Sequence, residues 1–304
     1  MSNPNQIHIA NAPCSWGVLE FNLPGQAAAY AQVLDEIRDT GYVGTELGDW
    51  GFMPTEPAAL RRELDARKLA MVGAFVPVAF LNPEAHATGA QTAVRTAKLL
   101  AAVEGKVPFI VLADDNATHP VRTKNAGRIT PKDGLSDAQW KTFAKGVEHV
   151  AGAVREQTGL RCVVHSHGAG FIETPDEISR LLELTDPQLV GLCFDTGHYR
   201  FGGGDPIAGL RQHRARIWQV HFKDCSPSIH QQSRMEQWDY LESLKRGIFC
   251  ELGKGDVDFP AVIDELRRTS YGGWIVVEQD VLPGMGAPKQ YAQRNRDYLR
   301  KLGL

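Results

Sequence analysis

The sequence predicts a closed (β/α)₈ barrel, in which eight parallel strands alternate with helices, and three observations support this fold class. Eight short apolar runs with the character of buried strands occur along the 304 residues. Helical segments separate these runs, and such alternation implies parallel strands joined by right-handed crossovers. Eight repeats at this length favour a closed barrel over an open doubly wound sheet, and no Gly-x-Gly-x-x-Gly motif follows the first strand. Because no shift in composition divides the chain, we expect one domain over residues 1–304.

Each predicted strand is an apolar run that stops at turn residues or polar residues. The second strand is called mainly from its place in the alternation, and the third contains Pro77, which must lie near the strand end. In chain order the predicted strands are Ile7–Ala12, Gly44–Gly48, Met71–Phe80, Phe109–Ala113, Cys162–His167 (with His165 at the strand end), Leu189–Phe194, Ile217–His221 and Trp274–Glu278.

The predicted helices follow from apolar periodicity and from start and stop residues. Capping boxes at Ser136–Gln139 and Thr174–Glu177 mark two helix starts, and Gly41 marks the end of the first helix. In chain order the predicted helices are Pro24–Thr40, Pro57–Leu69, His86–Val103, Ser136–Gln157, a helix from Thr174, a helix from Asp205–Pro206, Phe259–Thr269 and Ala287–Leu302.

Two segments are longer than a simple connection requires. Arg122–Gly134 is polar and irregular, which is typical of a loop that covers a site. Lys223–Asp256 contains a predicted helix, Arg234–Lys245, and is interpreted as an elaborated active-site loop.

The charge and the sequence pattern disfavour several classes of function and location. A net charge of −3 with no basic block disfavours nucleic-acid binding. No apolar stretch is long enough to span a bilayer, and no signal peptide is visible at the start of the sequence. The five cysteines are scattered and form no Cys-x-x-Cys pair, so we expect reduced thiols in a cytoplasmic protein.

Metal-competent side chains lie at the ends of successive predicted strands. Asp195, His221 and Glu278 end the sixth, seventh and eighth strands. In a barrel these ends share one face, so we expect the three side chains to meet there. One such residue is more often structural, as a helix cap, a packed His or an ion-paired Glu, but three on successive strands indicate a divalent metal site. Imidazole with carboxylate ligands suits Mn²⁺ or Co²⁺ first, with Zn²⁺, Fe²⁺ or Mg²⁺ as alternatives, rather than Ca²⁺.

The fourth metal ligand has two candidates. His165 ends the fifth strand, which is the natural position for a ligand. Glu173 lies beyond Gly168-Ala169-Gly170 and could swing back over the barrel mouth, which would leave His165 and His167 to bind substrate. Alternatively, Glu173 is an exposed residue ahead of the next helix cap. Both assignments stay open at this point.

Further polar side chains near the strand ends are candidates for substrate contacts. His167 and His198 are suited to bind substrate hydroxyls or to transfer protons, because His titrates near neutral pH. Lys223 alternates to the same side of the chain as His221. It is a candidate for stabilising oxyanion charge, or equally for an ion pair with Asp224 or another loop carboxylate.

Two more residues are assigned to the substrate pocket. Glu46 ends the second predicted strand and is a candidate for holding sugar-like hydroxyls. Trp16 is a candidate wall of the pocket, although a core position is the commoner outcome for an aromatic residue.

Six motifs spread over nearly the whole chain resemble those of the xylose isomerase-like TIM barrels, the superfamily of sugar-phosphate isomerases, epimerases and endonuclease IV. They are Gly44–Gly48 (GTELG), Val164–Gly168 (VHSHG), Phe194–His198 (FDTGH), Gly202–Pro206 (GGGDP), Val220–Asp224 (VHFKD) and Val276–Asp280 (VVEQD). The resemblance implies a Glu, Asp, His, Glu metal set at the ends of strands five to eight. Asp195, His221 and Glu278 match the last three members of that set.

Within the family the sequence is most similar to the inosose (2-keto-myo-inositol) dehydratases. The resemblance also implies that the protein forms a homodimer or homotetramer.

The fifth strand departs from the epimerase pattern that the resemblance describes. Epimerases of this group usually have Glu-x-His there, and this chain has His165-Ser166-His167, which removes a carboxylate that epimerases use as acid and base. The hypothesis is therefore a metal-dependent dehydratase, a carbon–oxygen lyase acting on a cyclic keto-polyol such as 2-keto-myo-inositol.

In the hypothetical reaction the metal stabilises the enolate, as Lewis-acid catalysis requires. His165, His167 or Glu278 takes the α proton, and His198 or Lys223 protonates the departing β-hydroxyl. The alternatives are a keto-sugar isomerase or epimerase, a lyase that cleaves 3-oxo-glycosides, and a non-catalytic binding subunit.

Overall fold

Eight parallel strands close into a barrel in the computed structural model, which describes residues 6–18, 28–105 and 107–304. The strands in chain order are β1 Ile7–Asn11, β2 Gly44–Glu46, β3 Ala70–Val78, β4 Phe109–Asp114, β5 Arg161–His165, β6 Val190–Asp195, β7 Ile217–Phe222, β8 Asp224–Cys225, β9 Phe249–Cys250 and β10 Gly273–Val277. The barrel consists of β1 to β7 and β10, and the short strands β8 and β9 pair with each other outside it. Closure joins β1 to β10, with Ile7 opposite Gly273 and Asn11 opposite Val277. The predicted (β/α)₈ TIM barrel is confirmed.

The described helices surround the strands and fill the connections between them. In chain order they are α1 Tyr30–Thr40, α2 Pro57–Asp65, α3 Pro83–Glu104, α4 Pro120–Asn125, α5 Asp137–Thr158, α6 Pro175–Leu184, α7 Thr196–Phe201, α8 Pro206–His213, α9 Pro227–Glu236, α10 Tyr240–Lys245, α11 Phe259–Arg268 and α12 Pro288–Lys301. Short 3₁₀ turns cover Pro13–Trp16 and Pro131–Asp133. None of these described helices is both long and apolar enough to cross a bilayer.

Local sequence signals account for where several helices start and stop. The predicted capping boxes form at Ser136 and Thr174, where each side chain accepts the backbone N–H three residues later. Helix α1 ends at Gly41, whose φ of +91° is a left-handed conformation that glycine adopts without steric cost. These signals depend only on neighbouring residues, which is why the sequence predicts them.

The main core lies between the barrel strands and the outer helices. Helix α1 contributes Val33, Leu34 and Ile37 to it, all fully buried. Burying an aliphatic side chain of this size contributes about 1.5–3 kcal/mol relative to an exposed position. The helices are therefore held against the barrel by their apolar faces. The polar side chains of the site lie instead at the ends of the barrel strands.

The start of the first predicted helix differs from the structure. The prediction began at Pro24, and residues 24–27 lie outside the described residues. Ala28 and Ala29 are described and are not helical, so the helix begins only at Tyr30.

The predicted helix Arg234–Lys245 is wrong, because the chain forms two helices there. Gln237 adopts a left-handed φ of +54° and ends α9. Asp239 then caps α10 by accepting the N–H of Glu242. The break depends on this conformation and cap rather than on a loss of apolar periodicity.

The predicted irregular loop at residues 122–134 is also partly wrong. It contains most of α4 and one 3₁₀ turn, and Arg122 is fully buried. An ion pair with Glu177 explains the burial, because a guanidinium is almost never fully buried unless it is paired.

Candidate active site and metal centre

Four barrel strands bring metal-competent side chains to one point at their carboxyl ends. His165 and Asp195 are the last residues of β5 and β6, His221 lies near the end of β7, and Glu278 directly follows β10. All four are buried, and one potential ligand atom from each lies within 4.8 Å of the others. The structure thus brings Asp195, His221 and Glu278 together and adds His165 to them. We call these four residues the ligand group.

Several polar atoms in the ligand group face one another without an aligned hydrogen bond. His165 Nε2 lies 3.4 Å from Asp195 Oδ2, and His221 Nδ1 lies 3.2 Å from Glu278 Oε1. Among the described residues, neither ring nitrogen of His165 has a hydrogen-bond partner. A buried polar atom left unpaired costs about 1–3 kcal/mol. Two imidazoles and two carboxylates converging in this way fit a divalent cation of the Mn²⁺, Co²⁺ or Zn²⁺ type.

Glu46 orients His221 within the ligand group. Glu46 Oε1 lies 3.1 Å from His221 Nε2 and also accepts the side-chain N–H of Gln219 at 2.8 Å. When Nε2 donates to Glu46, the other ring nitrogen, Nδ1, faces Glu278. A carboxylate behind a ligating His commonly fixes the ring in this way. Glu46, which was assigned to substrate hydroxyls, therefore has one oxygen already engaged by protein groups.

The acidic groups around His221 favour the positively charged form of its ring. Burial opposes a charge on His221, but the acidic groups of Cys193, Glu278 and Glu46 outweigh burial and raise the pKa of His221 well above its usual value. Burial raises the pKa of the Cys193 thiol to about 12, so the thiol is uncharged at neutral pH and the two carboxylates are the groups that raise the pKa of His221. A proton on His221, or a cation in the ligand group, neutralises the same carboxylates.

Lys223 lies beside the ligand group and is held by carboxylates. Its Nζ is 3.1 Å from Glu278 Oε2 and 3.2 Å from Asp280 Oδ1. Burial would lower the pKa of Lys223, but Asp280 and Glu278 outweigh burial and raise it, so the amine is protonated. The ion pair does not involve Asp224, whose carboxylate accepts backbone N–H groups.

Asp280 is a residue of the site that the sequence reasoning missed. It follows Glu278 by two positions, as Lys223 follows His221, and both pairs lie at the end of a strand. The alternation argument that placed Lys223 in the site would have found Asp280 too.

His167 and His198 stack against each other in the same region. Their ring centroids are 4.1 Å apart, and both side chains are buried. Burial, followed by the neighbouring positive groups, lowers the pKa of each ring well below the usual value. Both rings are therefore neutral at physiological pH and able to exchange hydrogen bonds with a ligand.

A cavity of about 570 Å³, including its open mouth, lies over these groups. Five of the predicted site residues line it: Glu46, His165, His167, Lys223 and Glu278. Phe75 forms an apolar part of the wall, and Cys14 and Asp49 contribute from loops after β1 and β2. Cys14 and Asp49 were not predicted, although Asp49 directly follows the second predicted strand, Gly44–Gly48.

Two predicted site residues lie elsewhere. Trp16 is buried and donates its indole N–H to Glu36 on α1 at 2.7 Å, so the ring packs away from the cavity. Glu173 is buried rather than exposed, and it is not part of the ligand group among the described residues. Its two oxygens accept the N–H groups of Gly127 at 2.7 Å and Ala169 at 2.8 Å.

Comparison with known proteins shows which family this chain belongs to. The model of the xylose isomerase-like TIM barrel family matches residues 34–302. The chain belongs to this family. The resemblance drawn from the six motifs is confirmed.

The most similar curated relatives include an inosose dehydratase from Geobacillus kaustophilus. It is 31% identical over 300 residues, and the alignment covers 98% of this chain and 95% of the relative. Another inosose dehydratase, from Lactiplantibacillus plantarum, is 32% identical over 290 residues, covering 95% of this chain and 94% of the relative.

Among solved structures, the probable 3-DHS dehydratase AsbF from Bacillus anthracis aligns with a TM-score of 0.71. The identity is 15%, and the alignment covers 96% of this chain and 98% of that one. At this identity the likeness shows the fold alone.

Proposed function

We propose that this protein is a dehydratase, a carbon–oxygen lyase that removes water from a cyclic keto-polyol such as 2-keto-myo-inositol. The observation that carries the proposal is the clustering of His167, His198 and Lys223: the two imidazole ring centroids are 4.1 Å apart, and His198 Nε2 lies 3.3 Å from Lys223 Nζ. Loss of water needs a base for a C–H proton and an acid for the departing hydroxyl, close together. The inosose dehydratases that are about 30% identical over nearly the whole chain support this choice of substrate.

A divalent cation is part of the proposal. His165, Asp195, His221 and Glu278 would hold it, since they offer imidazole and carboxylate ligands with buried atoms that lack partners in the described structure. A cation bound there would supply Lewis-acid polarisation of a ketone oxygen and so acidify the neighbouring C–H bond. We propose Mn²⁺ or Co²⁺ first, with Zn²⁺, Fe²⁺ or Mg²⁺ as alternatives.

His167 is the base that fits the geometry best. It lines the cavity, and its neutral ring can accept a proton. Glu278 is a weaker candidate, because it belongs to the ligand group and its second oxygen pairs with Lys223. His165 belongs to the ligand group, which leaves His167 for the α proton.

Lys223 and His198 act on the departing oxygen. The α C–H bond breaks as His167 takes the proton, and the electron pair forms the new C=C bond while the β C–O bond breaks. A proton from Lys223 or His198 converts the leaving hydroxyl to water. Asp280 and Glu278 keep Lys223 protonated for this step.

The experiment is to load the purified protein separately with Mn²⁺, Co²⁺, Zn²⁺, Fe²⁺ and Mg²⁺ and add 2-keto-myo-inositol. We expect an absorbing unsaturated ketone or dione to form with at least one ion. His167→Asn and Lys223→Met should each lower kcat by about a hundredfold or more. His149→Asn on the outer helix α5 and Lys301→Met on α12 are the matched controls and should keep full activity.

Two results would overturn the proposal. One is an absence of turnover with every ion tested. The other is uptake of solvent deuterium into the recovered substrate without loss of water, which would indicate an isomerase or epimerase instead.

A further inference from the structure

Asp49 brings a carboxylate to the cavity from the loop after β2, and the protein does not use this carboxylate itself. Asp49 lines the cavity next to Gly48 and Val18. Among the described residues, no hydrogen bond or ion pair involves its side chain. The residue is exposed at the open mouth, although the atoms around it exclude enough water to raise the pKa of the carboxyl. In its ionised form the side chain therefore offers a ligand two oxygens that only accept hydrogen bonds.

The other carboxylates that line the cavity are already engaged by protein groups. Glu46 accepts a side-chain hydrogen bond from β7 at 2.8 Å. Glu278 and Asp280 both contact the amine of Lys223, at 3.1 Å and 3.2 Å. These acids hold parts of the site in place, whereas Asp49 has no described partner to hold.

The backbone around Asp49 is fixed on both sides. Leu47 is buried and donates its N–H to a carbonyl of β3 at 2.9 Å, and Phe52 donates its N–H to the carbonyl of Asp49 at 3.0 Å. Gly48 has a left-handed φ of +72°, and a Cβ at this position would lie 3.1 Å from the ring of Pro13. The turn before Asp49 thus favours glycine. A hydrogen-bond acceptor on a fixed backbone needs less ordering when a ligand binds.

The barrel places Asp49 across the mouth from the acid and base groups. In the closed sheet, three strands separate β2 from β6 on either side. His198 lies on α7 directly after β6, and His167 and Lys223 follow the neighbouring strands β5 and β7. A ring polyol whose reacting carbons face these three groups directs its remaining hydroxyls towards the loop after β2.

The charges around the cavity suit an uncharged ligand at this end. Lys223 is the only lysine or arginine among the described residues that line the cavity, and two carboxylates already contact its amine. Proteins bind phosphate groups with arginine, lysine or the backbone N–H groups of a helix N-terminus. Asp49 would repel a phosphate and attract a hydroxyl, so one side chain both selects and rejects.

We propose that Asp49 is a substrate-binding residue that accepts hydrogen bonds from hydroxyls remote from the reacting carbons of the polyol and rejects substrates that carry a phosphate there. This inference rests on the proposed function, because it concerns the part of the keto-polyol that does not react. It narrows the substrate class to polyols that are uncharged at this end.

Binding can be measured without turnover by using myo-inositol, which has the hydroxyls but no ketone. Asp49→Asn leaves one acceptor oxygen in place of two, so isothermal titration calorimetry with Mn²⁺ present should show binding about tenfold weaker than in wild type. KM for 2-keto-myo-inositol should rise by a similar factor while kcat falls by no more than about threefold, because the same contact is present in the ground state and the transition state. The matched control is Asp65→Asn, which changes an exposed carboxylate at the end of α2 and should leave Kd and KM as they are.

Monodeoxy forms of myo-inositol identify the hydroxyl that Asp49 binds. Removing that hydroxyl should weaken binding to wild type and have little further effect on Asp49→Asn, because the contact is already lost in the variant. The monophosphate at the same hydroxyl should bind wild type at least about tenfold more weakly than myo-inositol, and the difference should shrink in Asp49→Asn.

The outcomes separate this inference from the proposed function. Wild-type values of Kd and KM in Asp49→Asn overturn the inference even when dehydration is observed. Binding of myo-inositol that depends on Asp49, without dehydration of the keto form, overturns the proposed function and supports the inference. A monophosphate that binds wild type as tightly as myo-inositol overturns the rejection of phosphate. A wild-type protein that neither binds myo-inositol nor dehydrates the keto form overturns both.

Discussion

Burial controls the charge of carboxyl groups near the barrel mouth, and Asp114 at the end of β4 shows this at the scale of one residue. Its side chain is almost fully buried and accepts the N–H of Phe171 at 3.0 Å. Burial raises the pKa of Asp114 to about 6, although the backbone hydrogen bonds from Phe171 and Asp115 oppose the shift. The folded protein thus binds a proton at this carboxyl more tightly than the unfolded chain does.

Asp114→Asn should remove this dependence on pH. A carboxyl whose pKa is raised by folding contributes stability below its unfolded pKa, and that contribution is lost as pH rises through the folded value. Relative to the variant, the wild-type free energy of unfolding should fall between about pH 4 and pH 6, by on the order of 3 kcal/mol, and then stay level. Urea unfolding of both proteins from pH 4 to pH 8 measures this. The control is Asp264→Asn, a substitution of an exposed residue. A difference in the free energy of unfolding between wild type and Asp114→Asn that does not change with pH would contradict the prediction.

Individual site residues were predictable where strand position alone determines their place. Asp195, His221 and Glu278 each close an apolar run, so the sequence predicts that they share one face of a barrel. The contacts of Glu173 were not predictable in this way, because its partner Gly127 lies 46 residues earlier in a segment with no strand or long helix. Trp16 was misplaced because an aromatic side chain after a strand can turn to the cavity or to the core, and local sequence does not decide between them.

At the scale of elements, the segment between β7 and α11 is organised by one carboxylate. Asp224 accepts the backbone N–H groups of four residues at 2.8–3.1 Å, namely Cys225, Gly253, Gly255 and Val257. A hydrogen bond to a charged group contributes about 1.5–3 kcal/mol. The pairing of β8 with β9 and the loop up to Val257 therefore depend on a residue that periodicity does not identify.

Asp224→Ala should loosen this segment without opening the barrel. We expect a loss of about 2–4 kcal/mol in the free energy of unfolding, because four N–H groups lose a charged acceptor and only some regain water. Hydrogen exchange should become faster across residues 249–257 and stay slow in β3 to β6. Asp258→Ala, which removes only the cap of α11, is the control. Unchanged exchange across 249–257 in Asp224→Ala would show that other contacts hold the segment.

Elements were predicted well where they are long and regular, and poorly where they are short. Seven of the barrel strands, and helices such as α3 and α5, have an apolar pattern clear enough to be recognised, whereas the three-residue strand β2 was predicted mainly from its place in the alternation. Helix α7 was missed, because it spans only six residues, begins directly after the strand-ending Asp195 and contains Gly197, which is typical of a turn.

The whole molecule arranges the ligand group on neighbouring strands. The order β10, β7, β6 and β5 in the closed sheet places Glu278, His221, Asp195 and His165 on four adjacent strands. The alternation of strands and helices predicts the barrel and this common face. It does not predict distances between side chains, because these depend on how the register of each strand pair adds up around the barrel.

A cation bound by four strands should stabilise the entire barrel. A cation that binds only the folded state raises the free energy of unfolding by about 2.7 kcal/mol when the free cation concentration is a hundredfold above Kd. For a chain of this size we expect Mn²⁺, Co²⁺ or Zn²⁺ to raise Tm by about 5 °C or more, and excess EDTA to reverse the increase. Ca²⁺ should have a smaller effect, because it prefers oxygen ligands and the ligand group contains two imidazoles. His221→Gln and Asp195→Asn should abolish the Tm increase, whatever they do to the Tm of the metal-free protein, whereas Glu265→Gln should preserve it. If His221→Gln kept the full increase in Tm, the cation would be bound elsewhere in the protein.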